Sequence, residues 1–219
     1  MSSYERQNEV KITIFGSTGG TGQHLVRKAL ERGDEVIAFA RTPSKLDIQH
    51  NNLTLIEGDA HDSEAVAFAI RDADAVISAI GPAPGAPEDL MQKAAENIIS
   101  GMQKHGVKRL IWSTGAGVEA PEDEPTFMHK AISFLLKLIS KDVLENSLRG
   151  AEIIQNSDLD WTIARAPMLT DEGRRQGYHA SFVGSEMGRT LSRENYAEFM
   201  LDLAEGNSWV QQMPAASDN

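Results

Sequence analysis

The stretch Val10-Lys-Ile-Thr-Ile-Phe-Gly-Ser-Thr-Gly-Gly-Thr-Gly22 decides the fold of this chain. Its first part, Val10 to Phe15, is a β-branched run that predicts a strand, and the segment from about Gly20 to Arg32 predicts a helix. Between them lies the pattern G-x-x-G-x-x-G. One glycine allows a tight turn, one lets backbone amides approach a phosphate, and one lets helix and strand pack closely. The stretch therefore predicts a phosphate-binding turn, with a glycine-rich turn that binds nothing as the alternative.

This turn provides the first part of the predicted site. A helix N-terminus supplies partial positive charge and free N–H groups to an anion. Hydroxyl groups at Ser17, Thr18 and Thr21 are expected to add donors. The predicted phosphate-binding residues are Gly16, Ser17, Thr18, Gly19, Gly20, Thr21 and Gly22.

The rest of the chain repeats the alternation of strand and helix, which is typical of βαβ units. It predicts an α/β fold with a doubly wound parallel sheet, as one domain over residues 1–219 with a small helical or loop annex. The core is expected at about 10–212, with a short edge strand at Ser208–Gln211 and a tail that frays after Pro214. The further predicted strands are Glu35–Phe39, Leu53–Ile56, Ala75–Ile80, Val107–Trp112 and Trp161–Ala164. The further predicted helices are Asp62–Arg71, Glu88–His105, Pro125–Asn156 with a break near Ser140, and one from Ser192 to about Glu205.

Composition excludes several functional classes. The 219 residues include no cysteine, which removes thiolate zinc sites, iron–sulfur clusters and cysteine nucleophiles. The formal net charge of −11 makes nucleic acid an unexpected partner, because such a chain repels a phosphate backbone. The six histidines are scattered, so no metal site is predicted. With no apolar leader or membrane segment in the sequence, we expect a soluble cytoplasmic protein that does not bind a membrane.

Several segments together resemble a known family. They are Thr13–Gly22, Ala40–Leu46, Glu57–Asp59, Ser113–Gly115 and Leu159–Ile163. Together they resemble the NAD(P)H-binding, atypical short-chain dehydrogenase/reductase group, which includes NmrA-like proteins and the flavin reductase/biliverdin reductase B type. The resemblance implies an NAD(P)-binding Rossmann fold.

The end of the second predicted strand indicates which dinucleotide is bound. In the NAD-type pattern an acidic residue at this place bonds the ribose 2′-hydroxyl. Here Ala40 and Arg41 occupy it, and a guanidinium can clamp a 2′-phosphate that a carboxylate would repel. Lys45 adds a second positive charge in the same turn. NADP(H) is therefore favoured over NAD(H), unless Arg41 only solvates a loop tip.

The resemblance assigns the remaining site residues. Asp59 and Ala60 are expected to contact the adenosine, although Asp59 could equally cap a tight turn. The end of the fourth strand lies beside the switch point of the sheet, where ligands bind. By resemblance the nicotinamide is met by Ser113, which is the predicted catalytic residue. The other residues expected to contact the cofactor are Ala79, Ile80, Gly81, Thr114 and Pro167.

The tyrosine–lysine pair of ordinary short-chain dehydrogenases is missing. Counting forward from Ser113 leads to Thr126 and Lys130, and aligning back from Leu159 leads to Val143 and Ser147. Neither pair contains a phenol. The tyrosines Tyr4, Tyr178 and Tyr196 do not precede a lysine by four, and only Tyr178 or its neighbour His179 is a weak candidate for a proton donor.

We therefore predict an NADPH-dependent reductase whose small-molecule acceptor takes hydride at an electron-poor carbon or ring. Flavins, quinones and linear tetrapyrroles are such acceptors, and they need little acid–base help from a protein. An NmrA-like regulator that senses NADP(H) without turnover is the alternative. The missing tyrosine counts against a third possibility, an epimerase or dehydratase.

Overall fold

Eight strands form one sheet in the computed structural model, which describes residues 9–81, 86–124, 141–172, 177–184 and 186–219. The spatial order is β3-β2-β1-β4-β5-β6-β10-β8, and every pairing is parallel except that of β10 with β8. Two further short strands, β7 and β9, pair in parallel beside it. The strands are β1 Lys11–Phe15, β2 Glu35–Ala40, β3 Leu53–Glu57, β4 Ala75–Ser78, β5 Arg109–Gly115, β6 Asp160–Ala166, β7 Met168–Thr170, β8 Tyr178–Ser181, β9 Thr190–Ser192 and β10 Ala215–Asp218.

Helices cover both faces of the sheet and divide the core in two. They are α1 Gly20–Glu31, α2 Ser63–Ile70, α3 Leu90–His105, α4 Lys141–Gln155 and α5 Arg193–Glu205, with a 3₁₀ turn at Pro43–Lys45. On one face α2, α3 and α4 pack through residues such as Ile98 and Ile154. On the other, α1 and α5 pack through residues such as Leu25 and Phe199. This confirms the predicted doubly wound α/β fold.

Side-chain caps begin two of the helices, at the residues where the sequence predicts the helices to start. Asp62 accepts hydrogen bonds from the amides of Glu64 and Ala65 at the start of α2, and Ser192 accepts one from the amide of Asn195 in α5. The predicted helix over 125–156 is confirmed only for Lys141–Gln155, since residues 125–140 lie outside the described part of the chain. Within the described ranges, none of the helices combines the length and apolarity that a bilayer crossing requires.

Two predictions about the C-terminal region are wrong. Residues 208–211 form a turn and no strand, because Trp209 and Gln211 adopt left-handed φ angles of 60° and 57°. The tail after Pro214 is also not frayed, since it forms β10 between β6 and β8. Small side chains at 215–217 allow this burial. The Asp218 carboxylate then accepts hydrogen bonds from the Ser192 amide at 3.0 and 3.1 Å, which fastens the tail to the start of α5.

Candidate functional site

The predicted site residues collect at one edge of the sheet. Strands β1 to β6 are all parallel, so their carboxyl ends lie on the same side. The glycine turn follows β1, Arg41 follows β2 and Asp59 follows β3, while Ala79 follows β4. Ser113 and Thr114 form the end of β5, and Pro167 follows β6. The order 3-2-1-4 places the switch point between β1 and β4, where the turn and the Ala79 segment meet.

Gly16 and Gly22 are glycines because the turn is packed too tightly for a side chain. Gly16 has a φ of +73°, and a Cβ there would lie 2.8 Å from the Ala79 carbonyl carbon and 2.9 Å from the Ile80 nitrogen. A Cβ on Gly22 would lie 2.1 Å from the Gly16 carbonyl oxygen. The turn therefore lies directly against the chain that leaves β4.

The start of α1 has the properties that an anion requires. Gly19 is the N-cap, and it has no side-chain hydrogen bond to offer the first amides of the helix. No acidic residue stands in the first turn, and both Gly19 and Gly20 are exposed. The first amides thus present partial positive charge without a side-chain acceptor. This cradle fits a phosphate of a dinucleotide.

Ser17 has a different role from the one expected for its hydroxyl. The side chain is 1% exposed, and its Oγ donates to the Phe39 carbonyl oxygen at 3.1 Å. The hydroxyl therefore joins the turn to the end of β2 instead of offering a donor to a phosphate. Thr18 and Thr21 remain half-buried at the turn. Because Phe39 lies two residues before Arg41, this bond also positions the segment that carries the guanidinium.

Arg41 is exposed, and among the described residues it has no hydrogen-bond or ion-pair partner. Its charge reaches the loop after β3, because it helps to lower the pKa of Asp59, although the hydrogen bonds from His61 contribute more. Lys45 ends the 3₁₀ turn and is also exposed. The Arg41 charge therefore acts on the loop that carries the predicted adenosine residues, and Lys45 is a second exposed cation in the turn after β2.

Asp59 and Ala60 lie in a tight turn held by several hydrogen bonds. The Asp59 carboxylate accepts from the His61 amide at 2.9 Å and contacts the His61 Nδ1 at 2.9 Å. The His61 Nε2 lies 3.2 Å from the Asp89 carboxylate, and the Asn97 amide group donates to the Ala60 carbonyl oxygen. The turn-forming role that the sequence left open for Asp59 is therefore present in the structure.

This cluster predicts a pH dependence at His61. Its hydrogen bonds to Asp59 and Asp89 raise the pKa of His61 above 6.5. A histidine whose pKa is raised on folding stabilises the fold fully below its unfolded pKa, and that contribution is lost as the pH rises through the folded pKa. Asp89→Asn is expected to lower the pKa of His61, measured by NMR titration of the ring protons. Asp72→Asn, which removes a carboxylate beside Arg71, is the control. An unchanged His61 pKa in Asp89→Asn would contradict the assignment.

Ser113 contacts a buried tyrosine that the sequence analysis did not place in the site. The Tyr196 phenol oxygen lies 2.9 Å from the Ser113 Oγ and 2.8 Å from the Ala164 carbonyl oxygen. Tyr196 is 1% exposed, and burial raises its pKa despite hydrogen bonds to Ser113 and Thr114. The sequence offered one signal for Tyr196: this residue lies one turn into a helix that begins at the edge of the sheet where the predicted site residues meet.

Thr114 points to the opposite face of the sheet from Ser113, because side chains alternate along a strand. Its Oγ1 is buried and has no hydrogen-bond partner among the described residues. Pro167 is half-buried and follows Ala166, whose carbonyl oxygen accepts from the Ala116 amide at 2.7 Å. An unpaired buried hydroxyl beside the strand end agrees with a polar ligand group at this place.

A buried ion pair fixes the loop that follows Ser113 and Thr114. The Arg165 side chain is fully buried, and its guanidinium donates to both Asp123 carboxylate oxygens at 2.6 and 2.7 Å. It also donates to the Val118 and Met213 carbonyl oxygens. The sequence segment Arg165-Ala-Pro167 therefore supplies a structural clamp, and Arg165 is not a ligand-binding group.

Arg193 is a second residue that sequence reasoning missed. A Cβ on Gly20 would lie 2.9 Å from both Cδ and Nε of Arg193, so this side chain lies over the first turn of α1. The guanidinium donates to the Asp171 carboxylate at 2.6 Å, and 84% of the Asp171 side chain is exposed. Helices α1 and α5 meet at both their starts and their ends, where Arg32 binds Glu205. Arg193 thus places a guanidinium, paired with Asp171, beside the phosphate cradle.

The weak candidates for a proton donor are not at the site. The Tyr178 phenol donates to the Asp202 carboxylate on α5, and burial together with that carboxylate raises its pKa. His179 is exposed on β8, the outermost strand of the sheet. Thr126 and Lys130 lie outside the described residues.

Comparison with known proteins agrees with this geometry. The chain is 28% identical to the uncharacterized protein YwnB of Bacillus subtilis over 204 residues, which cover 90% of this chain and 92% of that protein. It covers only 32% to 34% of the length of several other curated relatives. A short-chain dehydrogenase/reductase of Veillonella parvula in complex with NADP superposes with a TM-score of 0.79 at 17% identity, covering 96% of this chain and 95% of that one.

The anaerobilin reductase ChuY of Escherichia coli O157:H7 superposes with a TM-score of 0.76 at 24% identity, covering 95% of this chain and 97% of that one. At these identities the two structures show a shared fold. A family model described as NAD(P)H-binding matches residues 16–206, from the glycine turn to the end of α5. The chain therefore belongs to the NAD(P)H-binding family.

Proposed function

We propose that this protein is an NADPH-dependent reductase that transfers hydride to a small conjugated or aromatic acceptor, such as a flavin, a quinone or a linear tetrapyrrole. Family membership supports the dinucleotide, and the residues around Ser113 support the kind of acceptor. When bound, the reduced nicotinamide supplies the hydride. The chain's own residues hold it, orient it and exclude water.

The observation that carries the proposal is the state of Tyr196. Its phenol touches Ser113, as a catalytic tyrosine would, but it is 1% exposed and burial raises its pKa. Among the described residues, no lysine ammonium contacts the phenol, and the hydrogen bonds to Ser113 and Thr114 do not offset the effect of burial on its pKa. An acceptor that needs no proton from the protein suits this site, and a simple ketone does not.

Each part of the cofactor would meet residues with matching chemistry. The open amides at the start of α1, with the Arg193 guanidinium beside them, suit the pyrophosphate. Arg41 and Lys45 suit a 2′-phosphate on the adenosine ribose. Ser113 and Thr114, at the end of β5, would meet the nicotinamide. Hydrogen bonds from fixed backbone and strand-end groups would orient the ring, which is the main contribution a protein makes to this chemistry.

The preference for NADPH makes a prediction about Arg41. Arg41→Ala is expected to weaken NADPH binding about ten- to a hundred-fold, since one charge-assisted interaction is lost. NADH binding should change little, and Arg41→Asp should reverse the preference. Calorimetry with both dinucleotides measures their affinities, and raised salt should reduce the difference between the affinities for NADPH and NADH. Arg71→Ala, which removes an exposed guanidinium at the end of α2, is the control. Equal weakening of both dinucleotides would show that Arg41 does not bind the 2′-phosphate.

Steady-state oxidation of NADPH tests the function itself. FMN, menadione and biliverdin represent the three acceptor classes, and an unconjugated aliphatic ketone is the contrast. We expect turnover with at least one conjugated acceptor and none with the ketone. Efficient reduction of the ketone would reveal a proton donor and contradict the proposal. Tight NADPH binding without turnover of any acceptor would favour the dinucleotide-sensing regulator instead.

A further inference from the structure

The contact between Tyr196 and Ser113 joins helix α5 to the end of strand β5. Ser113 lies at the end of β5 and is half-buried, so one side of its hydroxyl can reach a ligand. Tyr196 comes from α5 and belongs to the core between that helix and the sheet. The phenol approaches the serine from inside the protein, on the side away from solvent.

Proton placement in this cluster follows from the groups present. The phenol oxygen has one hydrogen, and it lies 2.8 Å from the Ala164 carbonyl oxygen, which can only accept. If that hydrogen pointed to Ser113, two oxygens would face each other at 2.8 Å with no proton between them. The phenol therefore donates to Ala164. Once the phenol hydrogen is engaged by Ala164, the hydrogen between the two hydroxyl oxygens, 2.9 Å apart, must come from Ser113.

Resting on the proposed function, we propose that Tyr196 is a positioning residue that makes Ser113 a hydrogen-bond acceptor toward its ligand. With its hydrogen turned inward, Ser113 presents only lone pairs to the site. The group it binds must then be a hydrogen-bond donor, and on the nicotinamide ring or an oxidised conjugated acceptor that donor is an N–H. Two bound groups could supply one: the carboxamide of the nicotinamide, or an N–H of the acceptor, such as that of a flavin ring.

This arrangement makes the site favour ligands that have an N–H donor over ligands that have only a carbonyl oxygen. A serine whose hydroxyl is free to rotate can also donate to a carbonyl oxygen, so a site with such a serine would bind quinones and flavins alike. A serine whose hydrogen is held by Tyr196 can form a hydrogen bond only with a ligand that has an N–H at that place. Discrimination by one neutral hydrogen bond is modest, about three- to ten-fold.

Calorimetry tests the carboxamide without any turnover. NADP⁺ is compared with its 3-acetylpyridine analogue, in which a methyl ketone replaces the carboxamide. Wild type is expected to bind NADP⁺ about three- to ten-fold more tightly. Tyr196→Phe, which keeps the ring and frees the serine hydrogen, should abolish or reverse that difference. Tyr178→Phe is the matched control, since it removes a phenol bonded to the same helix at Asp202.

Kinetics test the acceptor. The ratio of kcat/KM for FMN, which has a ring N–H, to kcat/KM for menadione, which has none, is measured in the same proteins. If the acceptor supplies the N–H, Tyr196→Phe should lower this ratio about ten-fold. A merely structural tyrosine would lower both values together and leave the ratio unchanged.

The Ser113→Ala background decides whether Tyr196 acts through the serine. There, adding Tyr196→Phe should change neither the cofactor preference nor the acceptor ratio any further. The proposal is supported if Tyr196→Phe changes the cofactor preference or the acceptor ratio, and if that same preference is lost in Ser113→Ala. The experiment in which the change appears identifies the source of the N–H. Unchanged preferences in both, or an equal effect of Tyr196→Phe without Ser113, would overturn it. If wild type reduces none of FMN, menadione and biliverdin, the proposed function loses its support, and the calorimetry decides the role of Tyr196 alone.

Discussion

Replacing Asp123 by alanine is expected to lower the free energy of unfolding by about 3–5 kcal/mol. The substitution leaves the Arg165 guanidinium fully buried with only carbonyl oxygens as partners. It also removes the acceptor for the amides of Ala120 and Val183. Urea unfolding of wild type and variant measures the loss. Glu96→Ala, which breaks the exposed pair with Lys93, is the control and should leave the midpoint almost unchanged.

Replacing Arg165 as well tests whether the loss of stability comes from the ion pair. Combining Asp123→Ala with Arg165→Met removes both charges of this buried pair, so much of the lost stability should return. A double variant as unstable as Asp123→Ala alone would mean that the carboxylate acts through the loop amides and not through the arginine. Burial by itself raises the pKa of Asp123, but the bonds from Arg165 and Ala120 outweigh it and hold the pKa below its ordinary value. The stabilisation is therefore present at neutral pH and is lost as the pH falls into the acid range.

Gly19→Val is expected to weaken NADPH binding by at least about a hundred-fold while the protein still folds. The φ of Gly19 is an ordinary −74°, and a Cβ there has only the Gly16 oxygen nearby, at 3.3 Å. The branched side chain would instead occupy the open space over the first amides of α1. Those amides would then no longer approach a phosphate.

A matched control separates this effect from crowding of the backbone. Gly206 is also tight, with a Cβ expected 3.2 Å from the Asp202 oxygen, but it follows α5 at the far end of that helix. Gly206→Val should bind NADPH as wild type does. Calorimetry gives the affinities and circular dichroism confirms folding. Wild-type affinity in a folded Gly19→Val protein would show that the dinucleotide binds elsewhere.

Local patterns were sufficient to predict the fold and the edge where the site residues meet. The strand, turn and helix around Gly16–Gly22 share a short piece of chain, and parallel strands bring their ends together once the order is known. Strand β10 was missed because Ala215-Ala-Ser-Asp218 has no β-branched or aromatic residue. Its burial depends on neighbours that lie far away in the sequence.

The residues that the sequence did not place at the site are joined to it by contacts between distant parts of the chain. Tyr196 and Ser113 are 83 positions apart, and Arg165 and Asp123 are 42 apart. A search for a tyrosine four residues before a lysine therefore could not find Tyr196. Arg193 was missed for the same reason, since only the packing of α5 beside α1 places it over Gly20.

Anaerobic rapid mixing tests the central claim, that bound NADPH reduces a conjugated acceptor. The protein is first saturated with NADPH and is then mixed with FMN, menadione or biliverdin while absorbance at 340 nm is followed. We expect the absorbance to fall in a single turnover with at least one acceptor, and to fall more slowly when carbon 4 of the nicotinamide carries deuterium. Unchanged absorbance with all three acceptors, in a protein shown to be saturated with NADPH, would contradict the account.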